Sequence, residues 1–173
     1  MKKFLTFVLA ICLILPMSLL AACGPVVPFD VNNTTFSREK VEVNWVEGTT
    51  ERQKETMINR DWGWQTTNET ELLEGFQEKF TNLYRGIRFE DGMAYLALCK
   101  NGIDVQETEF YYVQSEDLKQ IDLYTDSDCT VRPSQGVIAR TWTLDNGKLI
   151  GVAEDYVPEF HLDIQIIMTQ VAL

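Results

Sequence analysis

Apolar positions repeat along this chain with two periods, and the point where one gives way to the other divides it. Between Asn68 and Gly86, residues Leu72, Leu73, Phe76, Phe80, Leu83 and Tyr84 recur at steps of three and four and share one helical face. Asn68 is placed to cap the first turn with Glu71 reaching back, and Gly86 to stop the helix in the left-handed conformation. Gly75 inside this stretch weakens it by up to about 1 kcal/mol relative to alanine. From Ile87 onward the period is two.

Candidate strands then cover residues 87–90, 93–100, 103–113, 118–125, 136–144, 148–154 and 160–170. Asp91-Gly92, Asn101-Gly102 and Asn146-Gly147 are two-residue hairpin signatures, because a type I′ turn needs positive φ at both central positions. Looser turns fall at 114–117, 125–129, 132–136 and around Pro158. In the last strand Phe160, Leu162, Ile164, Ile166 and Met168 point one way, with His161, Asp163 and Gln165 opposite. Residues 93–100 are apolar on both faces, as in a strand covered on both sides. Upstream, Val41, Val43 and Trp45 alternate with Glu42 and Asn44, so a single globular domain is read over residues 41–173. Residues 47–65 fit a short helix or a long loop. The expected class is mainly β (α+β): an antiparallel meander of seven to eight strands, curled or barrel-like, with one amphipathic helix packed on it.

The chain opens with Lys2 and Lys3, then runs uncharged from Phe4 to Ala22. By length this run could span a bilayer. Pro16 interrupts it, Ala21 and Ala22 close it, and no basic stop-transfer cluster follows, which is the layout of a cleaved secretory signal over residues 1–22. Leu20-Ala21-Ala22-Cys23 resembles the lipobox of bacterial lipoproteins. The resemblance covers these 23 residues and implies a palmitate-type lipid on the Cys23 thiol, cleavage before it and acylation of the new amino group. Two or more acyl chains give durable attachment to a membrane. Gly24 in place of Asp implies the outer membrane, facing the periplasm. Residues 23–40, with two prolines and a polar Asn/Thr tract, read as the lipidated cysteine and a flexible tether.

Cleavage leaves 151 of the 173 residues, and the net charge moves from −11 to −13 because the signal carries two lysines and no acid. A chain this acidic is repelled by nucleic acid, which excludes that partner class. Cys12 leaves with the signal and Cys23 carries lipid, so Cys99 and Cys129 remain. In an oxidising compartment two thiols read as one disulfide. A redox pair is the alternative, though no Cys-x-x-Cys spacing is present.

Catalytic signatures are absent. His161 is the single histidine and reads as an exposed strand residue. No Gly-x-Ser-x-Gly elbow, zinc spacing or glycine-rich phosphate loop occurs, so neither an enzymatic role nor a cofactor is expected. The acidic stretch 104–128 holds eight carboxylates against Lys119. If residues 114–117 close a hairpin with Val113 opposite Leu118, then Glu109 faces Asp122 and Glu107 faces Tyr124. Like charges across a strand pair are destabilising unless solvent or a cation relieves them. Tyr111 and Tyr124 would share that face and could stack on lysine or arginine of a partner. Three readings stay open: a solvated face, a site for a basic protein or peptide, and a weaker calcium site at Asp122, Asp126 and Asp128. Trp62-Gly63-Trp64 fits rim packing or the wall of a cavity for a small apolar ligand. The chain loosely resembles the lipidated bacterial lipocalins, which also join a lipobox to a β-meander and imply such a carrier role. Their Gly-x-Trp lies in the first strand, whereas here Trp62-Gly63-Trp64 precedes the helix.

Overall fold

The computed structural model describes residues 28–100, 104–134, 138–153 and 160–171. The signal segment, Cys23, the turn at Asn101-Gly102 and the Pro158 turn lie outside the described residues. Eight antiparallel strands close a barrel in sequence order: β1 (Thr34–Trp45), β2 (Tyr84–Glu90), β3 (Met93–Lys100), β4 (Asp104–Gln114), β5 (Gln120–Tyr124), β6 (Thr141–Asp145), β7 (Lys148–Val152) and β8 (Leu162–Gln170). Helices α1 (Glu51–Ile58) and α2 (Glu69–Leu83) connect β1 to β2. The mainly-β meander with a packed helix is therefore what the chain forms, with one helix more than the periodicity announced.

The barrel closes because β1 is longer than its alternation suggests. It begins at Thr34, seven residues before Val41, and pairs with β2 from Thr34↔Phe89 to Ser37↔Gly86 while running along β8 from Phe36↔Gln170 to Trp45↔Leu162. A bulge between Arg38 and Lys40 changes the facing parity, placing Phe36 inside before it and Val41 and Val43 inside after it. That parity change disguises the strand as a polar tract. Residues 28–33 are anchored too: Gln114 Nε2 donates to the Phe29 carbonyl at 2.9 Å, and Val31 is fully buried. The segment read as a tether up to residue 40 is thus barrel from Thr34 onward.

Helix α2 keeps its predicted cap, with Asn68 Oδ1 accepting the Glu71 N–H at 3.0 Å, but Glu71 reaches back one residue further, to Thr67 N–H at 2.7 Å. It ends at Leu83, and Tyr84 passes directly into β2 in extended conformation. Gly86 is therefore not a helix stop; a Cβ there would sit 2.6 Å from the Phe36 carbonyl oxygen, so it permits close approach of β1. The helix lies along the inner side chains of β1: Trp45 Nε1 donates to Glu69 at 2.7 Å at one end, and Arg38 donates to the Thr81 and Tyr84 carbonyls at the other. Helix α1 forms where residues 47–65 showed no period, because Thr50 and Gln53 make a full capping box.

Leu72, Phe76 and Phe80 of α2 meet Phe36, Tyr84, Phe89, Leu123 and Trp142 from the strands, all fully buried. Tyr84 and Trp142 pack edge to face at 6.1 Å between centroids, and Phe36 and Phe89 at 6.2 Å. Trp62 and Trp64 close the helical end against Phe76 and Phe160, with centroids 4.9 to 5.3 Å apart. The Trp64 indole lies over Gly75, where a Cβ would fall 2.3 Å from Nε1, which explains a glycine inside a helix.

Candidate functional site

The outer surface of β3, β4 and β5 carries the acidic residues. Along β4 the odd positions Val105, Glu107, Glu109, Tyr111 and Val113 face outward, while Phe110 is buried. The β4–β5 register differs from the expected one by four residues. Leu118, at φ 59°, belongs to the turn, Ser115 N–H donates to the Gln120 carbonyl at 2.8 Å, and the ladder runs Tyr111↔Tyr124, Val113↔Asp122. Glu109 therefore faces Tyr95 of β3 rather than Asp122, and Glu107 faces Ala97 rather than Tyr124. The anticipated like-charge pair does not form.

The five residues singled out from sequence divide into two kinds. Asp122 and Tyr124 are held from within the chain: Arg132 Nη1 lies 2.8 Å from Asp122 Oδ1, and its guanidinium stacks 5.2 Å from the Tyr124 ring centroid. Arg132 also donates to Thr141 Oγ1 at 2.6 Å and to the Arg140 carbonyl at 3.0 Å. Burial works to raise the Asp122 carboxyl, but hydrogen bonds from Arg132, Gln120 and Thr141 outweigh it and hold the group below the usual aspartate range. Glu107 receives a second arginine, Arg88, at 3.4 Å, whose guanidinium lies 4.1 Å from the Tyr95 ring centroid and which also bonds Glu90. Glu109 and Tyr111 are different: among the described residues neither has a cationic partner. Arg88 and Arg132 were missed because only register shows which carboxylate each one meets.

The weaker calcium grouping does not assemble. The Asp126 carboxylate accepts the Thr130 and Val131 backbone N–H groups, at 3.0 and 2.7 Å, and Asp122 is held by Arg132. Among the described residues no group of three potential ligands converges. Cys99 and Cys129 are both free thiols, not the expected disulfide. Cys99 is buried on β3, and Cys129 follows β5, with β4 between the two strands. Two strand spacings come to about 9.5 Å, beyond the roughly 7 Å Cα separation a disulfide tolerates. Cysteine parity gave no information about that intervening strand.

His161 precedes β8 instead of lying within it, at φ 53°, half-buried, with its Nε2 3.1 Å from Gln53 Nε2 and its carbonyl accepting Val46 N–H. This arrangement ties α1 to the barrel rim. No family model, no curated protein and no solved structure matches the chain.

Proposed function

We propose that this protein is a bacterial envelope lipoprotein, anchored through Cys23 to the outer membrane facing the periplasm, whose barrel acts as a non-enzymatic binding module for a basic protein or peptide. The observation that carries this reading is the outward-facing pair of Glu109, which is exposed, and Tyr111, which is half-buried. They lie between two acid–aromatic sites that each already hold an arginine, Arg88 on Tyr95 with Glu107 and Arg132 on Tyr124 with Asp122. The same chemistry, a carboxylate beside an aromatic face, stands here without a cation among the described residues.

Orientation supports the same reading. Four residues lie between Cys23 and Pro28, so five Cα steps hold Pro28 within about 18 Å of the anchor. Pro28 borders the β4–β5 turn at Lys119 and the β6–β7 turn at Asn146, and Gln114 at the end of β4 binds Phe29. The end of β4 near Asp104 therefore points away from the membrane. A carrier of a small apolar ligand would need space inside the barrel, but that interior holds Trp142, Tyr84, Phe36, Phe76, Phe80 and Phe89, all fully buried. Binding is assigned to the outside. The test is capture of partners from envelope extract at rising salt. Retention should fall steeply between about 0.05 and 0.3 M, as screening shortens to under about 10 Å, and Glu109→Lys should lower it about tenfold. Unchanged capture by Glu109→Lys removes the acidic face from the function.

A further inference from the structure

The barrel is closed, yet one of its ladders is short. β4 pairs with the whole length of β3, from Met93↔Tyr111 to Lys100↔Asp104, but with β5 only from Tyr111 to Gln114. Among the described residues no strand pairs with the other edge of residues 104–110. Which backbone groups that edge presents follows from two hydrogen bonds. Tyr112 N–H donates to Gly92 on the β3 side, and Ser115 N–H donates to Gln120 on the β5 side. In an antiparallel strand the N–H and C=O of one residue point the same way and successive residues alternate. The β3–β4 register is unbroken, so Val105, Glu107 and Glu109 all direct both groups toward the open side. Val105 is 55 % exposed and both glutamates are exposed, consistent with an uncovered edge.

The chain that leaves β5 does not fill this gap. Thr125 N–H donates to the Val131 carbonyl, Cys129 N–H to the Asp126 carbonyl, and the Asp126 side chain holds Thr130 and Val131. That turn satisfies itself. Open edges invite pairing with any extended chain, and proteins blunt them with charge. Here the blunting has a sign: the outward side chains along the edge are Val105, Glu107 and Glu109, so every charge among them is negative, and Asp104 stands at the tip. A second copy pairing edge to edge would set carboxylates against carboxylates, which disfavours self-association. An incoming strand with lysine or arginine at alternate positions would instead place cations directly across from them, 4.5–5.5 Å away between Cβ atoms.

We propose that residues 104–110 of β4 are a strand-addition site, which an extended basic segment of a partner protein joins through the backbone of Val105, Glu107 and Glu109. This rests on the reading that the acidic face meets a basic partner, and it specifies how. Backbone pairing supplies affinity and the alternating glutamates supply the choice of partner. The site lies at the end of the barrel away from the anchor, about 20 Å of edge at 3.3 Å per residue.

The test titrates the full chain with three labelled peptides of equal charge, followed by anisotropy: one alternating lysine with threonine, one with the same residues in separate blocks, and one alternating but methylated on every second backbone nitrogen. Amide exchange of Val105, Glu107 and Glu109 is followed in parallel. The alternating peptide should bind about tenfold or more tighter than both controls and slow exchange at those three amides by a similar factor. Equal binding by all three, with exchange unchanged, overturns strand addition while leaving a basic partner on this face intact. Binding by none of them at low salt overturns both. A dimer in sedimentation that slows the same three amides without peptide overturns the choice of occupant.

Discussion

The two sides of this barrel are built alike within and unlike without. On the β8–β1–β2 side, β1 and β8 pair from Phe36 to Trp45, and Glu39 binds Lys148 and Thr169 across the outer surface. On the β4–β5–β6 side the ladders shrink to Tyr111–Gln114 and Gln120–Asp122, and the outer surface is acidic. Inside, no such difference exists: Ile121, Leu123 and Trp142 are as fully buried as Ile164, Ile166 and Phe36. Burial is non-directional and scales with apolar area, so one core can support both sides. Backbone pairing is directional and local, so it can be withdrawn from one side without emptying the interior. The thin side thereby gains exposed backbone at no loss of core.

The largest effects are expected from cutting the core on each side. Phe76→Ala and Trp142→Ala should each destabilise the protein by about 3–5 kcal/mol, measured by urea unfolding. If Trp142→Ala instead cost under 1 kcal/mol while Phe76→Ala kept its full effect, the thin side would not share the core. Next in size is Gly151→Ala. A Cβ there would fall 2.6 Å from the ring of Trp142, its cross-strand partner on β6, and overpacking of that kind costs about 1–3 kcal/mol. Gly75→Ala meets Trp64 as closely, at 2.3 Å, but helix propensity returns up to about 1 kcal/mol, so its penalty should be the smaller of the two. Equal unfolding midpoints for the two alanine variants would contradict that ordering.

The same contrast explains what could be read from the sequence. Helix α2, the Asp91-Gly92 and Asn146-Gly147 turns, and strands β3 and β8 were legible because each follows a single period or a local turn rule. The Asn146-Gly147 pair, for instance, has φ 50° and 77°, as a type I′ turn requires. Closure was not legible, because the bulge at Arg38/Lys40 breaks the alternation of β1 and hides Thr34–Lys40 as a polar tract. The acidic residues of the candidate site were found, but not their pairing. A leucine, Leu118, takes the left-handed turn position at φ 59°, where sequence rules look for glycine or asparagine. That one residue moves the β4–β5 register and exchanges a predicted Glu109–Asp122 repulsion for an Asp122–Arg132 attraction.

Arg132 makes the thin side dependent on one partly buried ion pair, which gives a third test. Asp122→Asn should cost on the order of 1–2 kcal/mol at neutral pH, since Arg132 loses its carboxylate while still half-covered. The folded carboxyl sits below the usual aspartate range. Such a group contributes stability that is complete above the unfolded value and fades as pH falls through the folded one. The difference in urea midpoint between wild type and Asp122→Asn should therefore be full near pH 7 and shrink in acid below the ordinary aspartate value. A difference that stays constant into strong acid would mean that Asp122 acts through packing and not through charge.

The smallest effect on stability is expected at Glu109, where binding is proposed. Glu109 is exposed on a strand whose other edge is open, and among the described residues no cation faces it. Glu109→Gln keeps the shape and hydrogen-bonding capacity and removes only the charge, so its unfolding free energy should stay within about 0.5 kcal/mol of wild type. Relief of repulsion along the acidic strand makes a slight gain the more natural sign. The same substitution should weaken capture of a basic partner at low salt and lose that effect at high salt, because a rim charge acts through long-range attraction that ions screen. A large stability loss from Glu109→Gln would show that this carboxylate holds the barrel together. The thin side would then be acidic for structural reasons, and the contrast between a packed interior and an available outer edge would fail at the residue on which it most depends.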